Sequence, residues 1–127
     1  MRYYWPGTRM EKSGYVTNST SICNYPVQAF ATAEIIPIAL VYMWHYLKRM
    51  DAQMLIVNTV HDSVICEMPE DEVEIFHKLS ERCFLSEVYS YLETVYGVSF
   101  TVPLAAGVKT APRWGATEEE TVYQMEV

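Results

Sequence analysis

The chain has 127 residues, half of them hydrophobic, and a formal net charge of −7 with only nine lysines and arginines. This size suits one domain with a modest core. Phosphate contacts need lysine and arginine, so a chain this acidic is expected to bind nucleic acid poorly on its own. Three cysteines, odd in number and without metal-ligand spacing, predict reduced core thiols in a cytoplasmic protein rather than a disulfide framework.

Residues 1–23 predict an irregular N-terminal segment. Turn signals at 5–8 and 12–14 separate two short stretches, 2–5 and 15–17, that are expected to pair as a β-ribbon. The start contains Tyr3, Tyr4 and Trp5, which suggests a surface that packs against another chain. It lacks the apolar stretch of a signal peptide.

A long helix is predicted from about Pro26 to Arg49. Pro26 suits the first turn of a helix, where its missing N–H needs no partner, and apolar residues recur downstream at helical spacing. Pro37 should remove one backbone hydrogen bond and kink this helix. The longest apolar run, 35–44, is too short to span a membrane, so no membrane association is expected.

Two short apolar stretches enclose the pair His61 and Asp62. Residues 54–60 and 63–68 are rich in β-branched and apolar side chains, which predicts a hairpin with these two polar residues in a tight turn. The pair is not the Asn-Gly or Asp-Gly that such turns favour, which suggests a role besides turning the chain. A carboxylate at the tip could hold a hard divalent ion such as Mg²⁺. The alternative is an ordinary turn aspartate that bonds to nearby main chain.

A second long helix is predicted over 69–96, with acidic residues in its first turn and Gly97 at its end. Its apolar stripe comprises Val73, Phe76, Leu79, Cys83, Phe84, Val88 and Leu92. Residues 99–106 predict a third strand beside the hairpin, and residues 116–127 an acidic tail without regular structure. The predicted fold class is α+β, with an antiparallel sheet, made of the hairpin plus a C-terminal strand, packed on two long helices.

Four motifs follow one another along the chain. They are Asn-x-Pro-x-Gln at 24–28, Val-His-Asp at 60–62, Pro-Glu-Asp-Glu at 69–72 and Val-Pro-Leu at 102–104. Their order and spacing resemble the C-terminal palm of family A DNA polymerases, the family of bacterial DNA polymerase I and many phage replicative enzymes. The resemblance runs from about Asn24 to Trp114. It implies an N-terminal segment (1–23), a palm segment (24–115) and a tail (116–127), and overall likeness favours a phage-encoded chain acting in the cytoplasm of an infected bacterium.

The resemblance implies a role for four residues. Asp62 corresponds to the hairpin aspartate of the family, a ligand of the two catalytic Mg²⁺ ions. His61 looks like the histidine that contacts the 3′-terminal nucleotide of the primer. Asn24 and Gln28 resemble the side chains that read the minor groove of primer-template DNA, which offers acceptors at every correct base pair. For Asn24, capping of the helix is an alternative that is compatible with this role.

The chain also departs from the family pattern. It lacks the Asp-Tyr-Ser motif that supplies the second catalytic aspartate, and neither Asp51 nor Asp71 stands in a suitable context. Ser63 occupies a position where many members carry a second carboxylate, and Thr20 one where they often carry an arginine. The fingers helix that binds the incoming nucleotide and the thumb are absent from the sequence.

The sequence therefore predicts a C-terminal palm fragment of a DNA-directed DNA polymerase that acts on primer-template DNA and dNTPs. It needs a larger polymerase fragment that carries the other catalytic aspartate, the fingers and the thumb. Two alternatives stay open: a noncatalytic palm remnant that binds DNA or a polymerase, and a stand-alone metal-dependent enzyme that combines Asp62 with other carboxylates. Glu67 lies an odd number of positions from Asp62, so it is expected on the opposite face of the strand, as a structural or solvent-facing residue.

Overall fold

The computed structural model describes residues 5–125, in which two long helical segments are combined with two antiparallel hairpins. The predicted α+β class and the two long helices are therefore confirmed. The expectations for Arg2, Tyr3 and Tyr4 lie outside the described residues.

A short turn precedes the first helix. Met10 and Val16 form an isolated antiparallel bridge, and the Thr17 N–H donates to the Arg9 carbonyl at 3.0 Å. The Arg9 N–H in turn donates to the Thr17 hydroxyl at 2.9 Å. Residues 15–17 thus pair with residues 9–11, whereas the predicted partner, residues 2–5, lies almost entirely outside the described part of the chain.

The first helical segment runs without interruption from Ser19 to Met50. It consists of α1 (Ser19–Phe30), a π turn (Ala31–Ile35) and α2 (Ile36–Met50). It begins earlier than predicted. Asn18, at the N-cap position, has the left-handed conformation that asparagine tolerates, and its carbonyl accepts a hydrogen bond from the Ile22 N–H at 3.0 Å. Pro26 therefore lies inside α1, and Asn24 is a helical residue rather than the cap.

Pro37 lies in the first turn of α2, directly after the π turn. A proline inside a helix has no N–H for the bond to the fourth preceding carbonyl, and π turns commonly absorb such irregularities within α-helices. A π turn therefore precedes Pro37 within a continuous helical segment, and the kink expected at Pro37 stays a prediction.

The first helical segment is also long and apolar enough to cross a membrane by length and composition. Its most apolar window has a mean hydropathy of 1.5, and only 17% of that window is buried. The expectation that no segment spans a membrane rested on the shorter run 35–44. The low burial of this segment leaves much of its apolar surface exposed.

The predicted hairpin is confirmed. Strand β1 (Leu55–Val60) and strand β2 (Ser63–Glu67) pair antiparallel and are joined by the two residues 61–62. The register shifts at Val57, which makes a β-bulge in β1. The hairpin forms a sheet of its own, so the outer edges of both strands are unpaired in the described structure.

The second helical segment covers residues 70–96, as predicted. It comprises a 3₁₀ turn (Glu70–Glu72), α3 (Val73–Glu81), a π turn (Arg82–Ser86), α4 (Glu87–Tyr91) and a further π turn (Leu92–Tyr96). Gly97 ends the segment with φ 65°, a left-handed conformation that carries no steric cost for glycine.

The C-terminal strand differs from the prediction in position and in partner. Strand β3 (Ala105–Thr110) pairs with strand β4 (Glu119–Gln124) in a second sheet, not with the hairpin. Pro103 lacks the N–H that a ladder needs, so the strand begins after it. The segment expected to be an irregular tail contains the β-prone run 121–123, which supplies the partner strand.

Strand β4 is fastened to the helices by one aromatic side chain. Tyr123 packs against the main core cluster, and its hydroxyl lies 2.9 Å from Nδ1 of His77, within hydrogen-bond distance. The residues that follow Gly115 are therefore part of the folded unit as far as β4.

The core lies between α2, the second helical segment and β3. Its main cluster contains Met43, Leu47, Met54, Phe76, Leu79, Cys83 and Val108, and a second cluster contains Ala39, Val88 and Leu92. The predicted apolar stripe of the second helix thus supplies much of the core. Cys83 is fully buried as expected, whereas Cys23 is exposed on α1, which corrects the prediction that all three thiols are core residues.

Candidate functional site

The hairpin tip presents two polar residues to solvent. His61 and Asp62 are both exposed, and Val60 pairs with Ser63 directly beneath them. His61 has φ 54°, a left-handed conformation that is uncommon for a residue with a Cβ atom. The Ser63 hydroxyl donates to the Val60 carbonyl at 2.8 Å and so bridges the turn. The tip is therefore a closed two-residue loop held by a side-chain bond.

Glu67 lies at the other end of β2, where it pairs with Leu55 and is exposed to solvent as predicted. At about 3.3 Å per strand residue, five positions place it roughly 16 Å from Asp62 along the hairpin. Two carboxylates at that separation cannot ligate the same metal ion, so Glu67 is excluded as the second ligand.

The hairpin tip offers one carboxylate, that of Asp62, as a ligand for Mg²⁺. Among residues 5–125, no group of three or more His, Cys, Asp or Glu side chains is placed to hold a metal ion. Asp51 ends α2 in a left-handed conformation, and Asp71 lies in the 3₁₀ turn before α3. The described residues do not fit a complete site for two Mg²⁺ ions, and Asp62 fits only as one contributor to such a site.

The α1 helix carries the predicted groove-reading residues on an exposed face. Asn24 and Gln28 are both exposed, and their four-residue spacing places them on one side of the helix together with Thr20 and Thr32. The Thr32 hydroxyl donates to the Gln28 carbonyl at 2.7 Å, which leaves the Gln28 amide side chain unengaged by this contact. No residue of α1 is buried. In the described structure, no hydrogen bond joins this face to the hairpin tip.

The base of the hairpin is fixed by Glu72. Its Oε1 accepts a hydrogen bond from the Gln53 N–H at 2.9 Å, and its Oε2 accepts one from the Met54 N–H at 2.8 Å. The sequence predicts only a favourable carboxylate in a first helical turn at this position. The anchoring role leaves no signal in the sequence, because both donors are main-chain groups that nearly every residue has.

A charged network joins the two helical segments. The Tyr46 hydroxyl donates to the Glu87 carboxylate, and the Arg82 Nε donates to the same carboxylate at 2.9 Å. The Arg82 guanidinium also stacks over the Tyr46 ring at 4.7 Å. The hydrogen bonds from Tyr46 and Arg82 lower the pKa of Glu87, and the bond to Glu87 raises the pKa of Tyr46. This network is structural and lies outside the residues that the sequence assigns to the site.

An open apolar groove of about 530 Å³ lies beside the hairpin. It is lined by Leu40, Val41, Trp44, His45 and Ile56. About half of Trp44 and of Val41 is exposed. An exposed apolar surface next to an unpaired strand edge is typical of a face that contacts other protein.

Comparison with known proteins gives a consistent result. Residues 3–116 match the family model described as DNA polymerase family A. A DNA polymerase I of Chloroflexus aurantiacus is 33% identical over 91 residues, which cover 72% of this chain and 9% of that protein. The matched part of the chain thus spans less than a tenth of the length of this curated relative. No solved structure matches the chain.

Proposed function

The chain belongs to DNA polymerase family A, and on that premise we propose that it is a C-terminal palm segment that contributes to template-directed nucleotidyl transfer. The reaction joins the α-phosphate of a dNTP to the primer 3′-hydroxyl and releases pyrophosphate. The observation that carries the proposal is the hairpin tip, a closed turn that presents Asp62 and His61 to solvent at the position of the family motif.

Asp62 is proposed as the carboxylate that this segment contributes to the metal site. Divalent ions supply charge stabilisation at the transferring phosphate in such reactions. An exposed carboxylate on a two-residue loop can approach an ion held mainly by another part of the polymerase. The remaining carboxylate has to come from outside the described residues, since these contain no complete metal-binding group.

His61 and the α1 face are proposed as the contacts to primer-template DNA. His61 adjoins Asp62, so a primer terminus that approaches the carboxylate also comes within reach of the imidazole. Asn24 and Gln28 have amide groups that donate and accept hydrogen bonds, and they lie exposed on one helix face. Because minor-groove acceptors occur at every correct pair, such contacts test pairing geometry without reading sequence.

A larger polymerase fragment is proposed as the partner. The match covers 9% of the curated relative from Chloroflexus aurantiacus, and the net charge of −7 does not suit independent DNA binding. The apolar groove beside the hairpin and the unpaired edge of β1 support the presence of a protein neighbour. That neighbour would supply the second catalytic aspartate, the fingers and the thumb.

One alternative has an observation in its favour. The lack of a metal-binding group within residues 5–125 also suits a noncatalytic palm remnant that binds DNA or a polymerase. The same lack weighs against a stand-alone metal-dependent enzyme.

Primer extension tests the proposal. The purified chain, a large family A fragment lacking this segment, and the two together are incubated with primed template, dNTPs and Mg²⁺. We expect extension only by the mixture, and expect Asp62→Asn to abolish it while the two proteins still associate. Extension that survives Asp62→Asn would favour the accessory role, and robust extension by the chain alone would contradict the need for a partner.

A further inference from the structure

We propose that Ser63 is a positioning residue whose hydroxyl fixes the turn that presents His61 and Asp62. This rests on the proposed function, because the geometry of the tip matters for catalysis only if the tip acts at the primer end. Ser63 itself is not proposed to touch metal, nucleotide or primer.

The first argument is the bond itself. The Ser63 Oγ donates to the Val60 carbonyl at 2.8 Å, and the two residues are the last strand pair before the loop. The side-chain bond therefore closes the loop at its narrowest point. Any opening of the turn that separates Val60 from Ser63 has to break it.

The second argument is that the turn needs such support. His61 has φ 54°, in the left-handed region that is unfavourable for a residue with a Cβ atom. Neither loop residue is the glycine that tight hairpin turns favour. The two strands form an isolated sheet, and a two-stranded hairpin has little stability of its own in water. A strained conformation persists only when its surroundings hold it.

The third argument is chemical. An ionised carboxylate has only acceptor oxygens, so glutamate or aspartate at position 63 could not donate a hydrogen bond to a carbonyl. Serine and threonine can, and alanine cannot. The bond that closes this turn therefore needs a donor side chain at position 63, which serine supplies.

The test compares Ser63→Ala, Ser63→Glu and Ser63→Thr in the ¹⁵N-labelled 127-residue chain. Ser99→Ala, in an exposed loop, is the control. Amide hydrogen exchange of residues 60–63 and the amide-to-Hα coupling of His61 are measured by NMR. In the Ala and Glu variants we expect amide exchange at the tip to be roughly fivefold faster, because one ordinary hydrogen bond is lost. The amide-to-Hα coupling of His61 should change in the same two variants. The Thr and control variants should match the parent chain.

The base of the hairpin serves as an internal reference. Exchange at the paired residues Ile56 and Cys66 should be the same in all variants, and equal acceleration at tip and base would contradict a local role. Parent-like behaviour of Ser63→Ala, or failure of Ser63→Thr to retain the turn, would also overturn the proposal.

In the assembled polymerase, Ser63→Ala should lower kcat with little change in the KM for dNTP, and Ser63→Thr should restore it. Unchanged kcat in Ser63→Ala would contradict the positioning role. The proposed function is tested separately: full primer extension by Asp62→Asn would contradict it. That outcome would not affect the NMR result on the turn.

Discussion

The Glu72 carboxylate and the main-chain N–H of Met54 lie 2.8 Å apart, so the helical segment that follows the hairpin also fixes where the hairpin begins. Met54 is nearly fully buried in the main core cluster. The base of the hairpin is thus tied both to the core and to the start of the second helical segment. The exposed tip extends from this anchored base.

Replacement of Glu72 should destabilise the fold. Glu72→Ala leaves the N–H groups of Gln53 and Met54 without their carboxylate partner, which should lower the free energy of unfolding by about 2 kcal/mol. Urea unfolding followed by circular dichroism measures the loss. Asp71→Asn, at an exposed position of the same turn, should change stability little. Equal losses in the two variants would show that the anchor has no special role.

Asp62→Asn should be far more damaging to catalysis than Glu67→Gln. The first change removes the charge proposed to hold metal, and metal-centred stabilisation is worth several kcal/mol in such transfers. The turnover of the assembled polymerase should fall by on the order of a thousandfold or more, with DNA affinity little changed. Glu67 lies at the opposite end of β2, so its replacement should cost little. Steady-state kinetics measure the turnover of both variants. A greater loss of turnover in Glu67→Gln than in Asp62→Asn would refute the assignment of Asp62 as the metal ligand.

The Glu87 network should make stability fall in acid. The hydrogen bond from Tyr46 is the main cause of the lowered pKa of Glu87, which ordinarily lies near 4.5. A carboxyl with a lowered pKa in the fold stabilises the protein above its unfolded pKa, and this contribution is lost as pH falls through the folded value. The difference in unfolding free energy between the parent chain and Glu87→Gln should therefore be largest at pH 7 and shrink below about pH 4.5.

Urea unfolding at pH 7, 5, 4 and 3 measures this difference. Glu81→Gln, at an exposed position of α3, is the control and should keep the pH dependence of the parent chain. A difference for Glu87→Gln that stays constant across the series would contradict the assignment.

The three thiols should differ widely in reactivity. Burial raises the pKa of Cys66 to about 11 and that of Cys83 to about 12, so both remain protonated at neutral pH. Cys23 is exposed on α1, and the thiolate is the reactive form. With iodoacetamide at pH 8, mass spectrometry should show alkylation of Cys23 first and of Cys83 last. Modification of Cys83 at the rate of Cys23 would indicate an open core.

The hairpin and the second helix could be predicted because their signals are local. Apolar runs on both sides of His61 and Asp62 specify a two-residue turn, and Gly97 marks a helix end by a conformation that glycine adopts without strain. The start of the first helix could not be predicted correctly. Pro26 suits the first turn of a helix, but α1 begins at Ser19 and contains Pro26 in its second turn. A cap by left-handed Asn18 has no distinctive pattern.

The C-terminal strands show the limit for long-range pairing. Strand β4 lies within a segment whose glutamates predict a solvated tail, whereas its pairing with β3, the packing of Tyr123 on the main core cluster and the contact of Tyr123 with His77 make it part of the fold. The same limit applies to the site. The sequence predicts a role for Asp62 through its motif, and this stays a prediction, whereas the Ser63 and Glu72 bonds involve main-chain partners that no residue pattern specifies.

The π turn at Arg82–Ser86 has a consequence for how chain length can vary among homologues. A π turn holds one residue more than an α turn, so deletion of a single residue there would yield an ordinary α-helix and leave Val88 and Leu92 on the buried face. Deletion within α3 would instead rotate every later side chain by about 100° and carry them away from the core. Length changes in this helix should therefore accumulate at the π turn rather than be spread along it.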